Sequence, residues 1–470
     1  MNSSISIVID SLPIINDLNY VSDYTGKLIF SSTSCPLFLY DSENSSYINH
    51  ACTKYEITNN YKTYKFFIDK SIKWSDGKKV EPKDYYNSFI RIINNSKKIN
   101  YGLLNILNCI KYKKKKCTEK DLGIFCDSDS LTIELVDSDL NLIKTISNIN
   151  FSPVRYNSNY EVIHNISAGK YYLEEINNTN YILSRNKYYF KSEDIKFKKI
   201  IYLLEKNPYR GIELFNENKV DITCNTIFPI KLIDTYSKNQ EFKTTQGNIN
   251  VSLIFTKEIP YEVRNILYKL IDSYEINTYF NNVFEIYNDF KMFKITTPEE
   301  RLLNKNEGLR LLTSLKNKIK ISIGYDNFYP NKMILQKIKC DLNNYGIIVN
   351  LVEDNYYLPN NNIYDMKLIL TDSPYQDIIS NFESIGLILI KQYSKEKKEI
   401  LLRYIKLINE YRKSQDNEKK IDIINELKKC ILELKSIIPL FKIKNYYLIN
   451  PILEYKGYGR DSQFKINIST

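Results

Sequence analysis

Several residue types are scarce in this chain, and each scarcity removes a class of function. One tryptophan stands among 470 residues, and histidine occurs twice, as His50 and His164. Zinc sites need a set of several Cys and His at short spacings, and no such set occurs, so no metal site is assigned. The eight cysteines (Cys35, Cys52, Cys109, Cys117, Cys126, Cys224, Cys340 and Cys430) include no C-x-x-C pair. Scattered thiols suit a reducing compartment better than an exported disulfide framework. No apolar run is long enough to span a bilayer. The N-terminus shows no basic segment, apolar segment or cleavage site, and residues 5–9 already alternate as a strand. A cytoplasmic location is therefore expected, or an extracytoplasmic one if an export segment has been removed. G-x-S-x-G, H-E-x-x-H and P-loop motifs are absent, so no catalytic residue and no cofactor is assigned. A binding protein is favoured over an enzyme.

What is present is ordinary in bulk. Hydrophobic residues make up 43% and charged residues 26%, as in a soluble globular protein. The length exceeds one compact core, so two or three lobes are expected. Forty tyrosines and 21 phenylalanines are spread through the chain and do not mark a stacking surface. The net charge is +11, with its densest basic run, K-Y-K-K-K-K, at residues 111–116. No nucleic-acid module surrounds this run, which reads first as a solvated loop and second as a contact for an anionic surface. Nucleic acid is disfavoured as a partner.

The most informative stretch is residues 73–86. A strand over 64–73 runs into the turn Trp74-Ser75-Asp76-Gly77. A helix follows, with Pro82 at its first position and Asp84 in its first turn. Tyr85, Phe89, Ile92 and Ile93 then recur at helical spacing. This strand, W-S-D-G turn and helix resemble the signature of family 5 solute-binding proteins, the peptide-binding receptors of ABC importers. Further segments follow in the family's order. Gly169 and Tyr171 open a strand, residues 177–180 turn, and a second strand ends in Arg185-Asn186, read as a strand-end tie. Residues 211–222 carry a helix into a strand, with Asn218 as a left-handed cap where the family places glycine. Val263-Arg264 opens a segment, 263–276, that reads as one helix with Val263, Ile266, Leu267, Leu270 and Ile271 on its core face.

A strand–helix–strand unit follows at 319–323, 333–342 and 347–352, the last expected as a buried parallel strand. A third strand, 364–370, leads into Thr371-Asp372-Ser373-Pro374. Helices over 395–412 and 417–435 and a strand over 438–441 complete the order. The resemblance runs from Ile5 to about Gly459.

The resemblance implies an α/β fold of the periplasmic-binding-protein type (type II, cluster C), with two hinged lobes and an inserted subdomain. Lobe I would comprise residues 1–36, 168–256 and 443–470, the insertion 37–167, and the opposing lobe 257–442. It implies a monomer that encloses a peptide or small solute as an added strand, and ABC permease subunits as partners. Its ligand anchor is an Asp that pairs with the peptide α-ammonium, in a G-W-x-A-D-Y segment aligned here with 368–373. That assigns ligand binding to Asp372, with backbone groups of Leu368 and Leu370 beside it. The competing reading of Asp372 is a cap for the following turn. Leu368-Ile369 replaces Gly-Trp and Ser373 replaces Tyr, so a leucine side chain stands where glycine would leave room. The altered segment and the eight thiols motivate an alternative, a cytoplasmic relative repurposed for natural-product biosynthesis or regulation, with an acquired activity. Trp74, Asp76, Gly77, Gly169, Tyr171, Arg185, Asn186, Val263 and Arg264 mark the fold; Arg155 is read as structural too.

Overall fold

Alternation at the N-terminus becomes β1 (Ser4–Ile9), which buries Ile5, Ile7 and Ile9. The computed structural model describes residues 4–41, 44, 46–94, 101–159, 161–245, 247, 249–286, 297–357, 364–372, 379, 382–383, 385–386, 389, 398–458 and 464–468. Ser373, Pro374, the helix start at 395–397 and Gly459 lie outside them. The chain divides into two units. Unit 1 comprises Met1–Asn225, Tyr236–Lys243 and Tyr447–Thr470, and unit 2 comprises Thr226–Thr235 and Thr244–Tyr446.

Unit 1 carries β1, the hairpin β2 (Phe38–Asp41) and β3 (Ser46–Asn49), then β4 (Cys52–Thr58), β5 (Thr63–Ile68), β6 (Ile124–Cys126) and β7 (Ser130–Glu134). β8 (Tyr171–Ile176), β9 (Asn180–Arg185) and β10 (Lys199–Leu204) follow. One sheet has the order β1-β10-β9-β8, with β1 parallel to β10 and the rest antiparallel. The other, β4-β5-β7-β6, is antiparallel throughout. β5 stops at Ile68, short of the expected residue 73, because Asp69 opens a turn by accepting from the Ser71 amide at 2.8 Å. Each sheet has its own apolar core. Tyr85, Phe89 and Ile93 of helix Pro82–Asn94 fill the one beside β6 and β7, as their spacing requires.

Polar clamps join these cores. Asn19 donates to the carbonyls of Asn150 and Ser152, and Asn150 donates back to those of Leu18 and Val21. Arg91 grips both carboxylate oxygens of Asp17, at 2.7 and 3.1 Å. Asn218 takes a left-handed φ of 55° after helix Pro208–Asn216, as its cap role demands.

In unit 2, β11 (Phe242–Thr245) lies at one crossing between the units. The main sheet contains β12 (Ile249–Phe255), β13 (Lys320–Asp326), β14 (Ile348–Asp354), β15 (Met366–Asp372) and β16 (Ile437–Lys442), in the order β14-β13-β15-β12-β16. β13 runs parallel to β14 and β15, while β12 runs antiparallel to β15 and β16. All seven residues of β12 are buried, and it pairs with β15 on one edge and β16 on the other; the sequence-based division grouped this segment with the N-terminal strands.

Two expectations change. The single helix over 263–276 is two helices, Tyr261–Leu270 and Ser273–Tyr279. Asp272 separates them by accepting from the amides of Tyr274 and Glu275, an N-cap that competes with helix continuation. Among the described residues β14 is an edge strand, and Ile348 is exposed, so its apolar sequence does not mark burial on both faces. The paired helices Lys398–Lys413 and Asn417–Leu434 cover apolar residues including Tyr404, Ile408, Leu427 and Ile431. No described helix is long and apolar enough to cross a membrane.

Candidate functional site

The tryptophan turn is packed into the fold. Trp74 is 0% exposed. Its amide donates to the Lys78 carbonyl at 2.8 Å, and its carbonyl accepts from the Gly77 amide at 2.9 Å. Gly77 sits at φ +89°, where a side chain would strain the turn, and Asp76 accepts from the Lys78 amide. The Arg155 guanidinium lies 5.0 Å from the Trp74 ring centre and 3.9 Å from Asp76, a cation held against the indole face.

The second marker works the same way. A Cβ on Gly169 would lie 2.3 Å from the Thr33 carbonyl carbon, so glycine lets two backbones touch. Asn186 is buried, donates from Nδ2 to the Gly169 carbonyl and accepts from the Tyr188 amide. Arg185 lies at the exposed strand end, where Nη2 reaches the Ser192 carbonyl, and the Tyr171 hydroxyl donates to the Phe197 carbonyl. Val263 is half-buried; Arg264 is buried, 5.8 Å from the Tyr261 ring centre.

The ligand candidates all lie on β15. Its ladder with β13 consists of two pairs, Ile323–Met366 and Gly324–Lys367. Beyond them β15 keeps β12 on one side through Ile249–Asp372, while its other edge has no strand beside it among the described residues. Among the described residues, Leu368–Asp372 therefore has one backbone edge without a partner strand. Leu368 points into the apolar core at 1% exposure, and Leu370 is half-buried. The Asp372 backbone ends the strand.

Where β13 and β15 part, the sheet holds charges. The parallel register sets Asp326 beside Asp354, two carboxylates on one face. Lys367 stands beside Gly324, two positions earlier on that face. The Tyr364 ring lies over Gly324, where a Cβ would meet it at 2.5 Å, and Lys367 Nζ is 2.7 Å from Asp354 Oδ2 and 3.2 Å from Asp326 Oδ1. The Tyr364 hydroxyl also donates to Asp354 Oδ2, at 2.6 Å. Burial raises the Asp326 carboxyl above the ordinary carboxylate range, against the pull of Lys367 and with the push of Asp354. Burial and the Asp354 carboxylate raise the Tyr364 phenol, keeping it a donor. One ammonium thus serves two carboxylates, which leaves one negative charge at the carboxyl ends of parallel strands, where α/β sheets bind ligands.

Residues 46–284, just over half of the chain, match the bacterial extracellular solute-binding proteins, family 5, middle region. The chain belongs to this family. A Haemophilus influenzae protein described in general terms as a binding protein is 27% identical over 148 residues, 31% of this chain; the match spans 28% of that relative's length. The family's fold extends over the whole chain. The Escherichia coli murein tripeptide binding protein MppA superposes with a TM-score of 0.84 at 16% identity, covering 99% of this chain and 98% of that one. Haemophilus influenzae OppA in complex with RPPGFSPFR gives 0.83 at 16% identity, covering 100% and 99%. Peptide-bound Listeria monocytogenes OppA gives 0.79 at 17% identity, also covering 100% and 99%.

Sequence reasoning singled out Asp372 and missed the Asp326–Lys367–Asp354 cluster. A signal was there: one lysine interrupts the apolar run M-K-L-I-L, and β13 and β14 both end in aspartate. Only the register shows that these ends lie side by side.

Proposed function

We propose that this solute-binding family member is a receptor for peptides or a related small solute, the ligand-capturing component of an ABC importer with no catalysis of its own. The carrying observation is that, among the described residues, Leu368–Asp372 at the carboxyl end of β15 has β12 on one edge and no strand on the other. An extended peptide can add there through main-chain hydrogen bonds, which every peptide offers whatever its side chains. Asp372 supplies the carboxylate for the peptide α-ammonium, and Leu368 and Leu370 contribute backbone rather than side-chain contacts. Permease subunits are the partners this role requires.

The test is thermal unfolding with mixed short peptides, followed by titration of wild type and Asp372→Asn with a peptide that stabilises. Loss of a charge-assisted hydrogen bond is expected to weaken binding by about tenfold or more. If no peptide raises the wild-type midpoint, the receptor reading fails. If peptide binds but Asp372→Asn leaves affinity unchanged, the anchor assignment alone fails.

A further inference from the structure

The two carboxylates of the Asp326–Lys367–Asp354 cluster are served unequally. Asp354 Oδ2 accepts from Lys367 Nζ and from the Tyr364 hydroxyl, and Oδ1 accepts from the Asn355 amide. Its side chain is 3% exposed. Asp326 has the longer contact, 3.2 Å from Oδ1 to Nζ, without hydrogen-bond alignment. Among the described residues no donor other than Lys367 reaches the Asp326 carboxylate, and its side chain is 16% exposed. The one ammonium is thus committed to Asp354, and the under-served carboxylate is the one that solvent reaches.

A second acceptor stands unfilled beside it. Asn331, the first residue of helix Asn331–Asn344, is 1% exposed. Its Nδ2 donates to the Asp326 carbonyl at 3.0 Å. That bond fixes the amide orientation, because the reverse would set two oxygens against each other. Oδ1 of the same amide is buried at this strand end and accepts no hydrogen bond among the described residues. A buried acceptor left empty costs stability, which a bound donor restores. The turns that follow are aromatic. Phe328 and Tyr356 come two residues after Asp326 and Asp354, and their rings meet edge to face at 4.7 Å. The Phe328 amide donates to the Asp326 carbonyl at 2.7 Å, which holds this turn against the end of β13.

We propose that this cluster is a subsite of unit 2 for a basic side chain of the bound peptide, a lysine ammonium or an arginine guanidinium. The inference rests on the peptide-receptor reading and adds a preference among peptides. A cationic head supplies N–H groups to Asp326 and toward Asn331 Oδ1, and aromatic rings favour a cation and its methylene stem. An anionic side chain would meet only acceptors, and an apolar one would leave them dry. Chain geometry permits both anchors at once. β13 leaves β15 after the Gly324–Lys367 pair, and Asp326, two residues on, stops about three residues, or about 10 Å, short of Asp372 along the sheet. An extended peptide of four or five residues with its α-ammonium at Asp372 reaches Asp326.

The test is calorimetric titration of the full chain with pentaalanine peptides carrying one lysine at positions two to five. Each is compared with its norleucine counterpart, which keeps the stem and removes the charge. At one position or more, wild type should bind the lysine peptide about tenfold more tightly. Arginine at that position decides between the two cationic heads. In Asp326→Asn the lysine-to-norleucine ratio should fall to about one, and its thermal midpoint establishes that the variant folds. Peptides that bind with no lysine preference at any position overturn the subsite and leave the receptor reading standing. So does a preference that Asp326→Asn retains. If no peptide binds, both readings fall.

Discussion

Unit 1 and unit 2 each bury an ionisable group at a cost, and acid acts on the two in opposite directions. In unit 1, His50 is buried beside Tyr189 and Phe190. Desolvation, with Lys191 and Lys170 nearby, lowers its pKa from 6.5 to about 3. The fold wants this ring neutral. In unit 2, Asp326 is held with Asp354 around the single ammonium of Lys367, and burial raises its pKa. The fold wants this carboxyl protonated. Elsewhere in unit 1, Arg91 and Asp17 form a balanced pair. A balanced buried pair specifies geometry; an unbalanced cluster at open strand ends carries a field toward whatever approaches.

The largest blow to the comparison should come from Lys367→Met. It strands two carboxylates without a cation and should cost about 3–5 kcal/mol at neutral pH, read from denaturant midpoints. The loss should shrink on acidification, because both carboxylates then take up protons. An equal loss at pH 7 and pH 4 would mean that the ammonium contributes packing rather than charge.

A somewhat smaller effect is expected at His50. Its folded pKa lies below that of the unfolded chain, so the stability it reflects is full above about 6.5 and is lost as pH falls toward about 3. By pH 4 wild type should give up about 3 kcal/mol through this residue. His50→Phe keeps an aromatic ring among its neighbours and should remove that slope. Parallel pH profiles for the two proteins would show that His50 finds a partner for its proton.

Asp326→Asn should have the smallest effect and the opposite sign. A raised folded pKa means that ionising Asp326 costs stability as pH rises from about 3.8 through the folded value. The asparagine variant should equal or exceed wild type by up to about 1 kcal/mol at pH 7, with Lys367 keeping Asp354. The advantage should vanish below about pH 3.8, as thermal midpoints at the two pH values would show. A destabilised variant at pH 7 would place Asp326 among the balanced structural pairs instead.

Much of this molecule was legible beforehand because local rules decided it. Pro82, Asp84 and the Tyr85/Phe89/Ile93 spacing define a helix, and Asn218 closes another in the left-handed region its residue type tolerates. Asp372 was singled out by its place in an ordered motif, and its strand runs to Asp372, two residues past the expected end at 370. The break at Asp272 was missed because 263–276 keeps helical spacing on both sides of a residue whose side chain caps a new helix. The edge position of β14 was missed because an apolar strand reads the same with one neighbour or two.

The sequence by itself determined the family, the helix and turn positions and the basic run, since these depend on residues close together in the chain. Tertiary structure alone decided that Asp326, Asp354 and Lys367 share one face, and that β15 runs past β13 with no strand on that edge among the described residues. The physical reason is register. Strand pairing brings distant residues to neighbouring positions, and a shift of one residue would send each of these side chains to the other face.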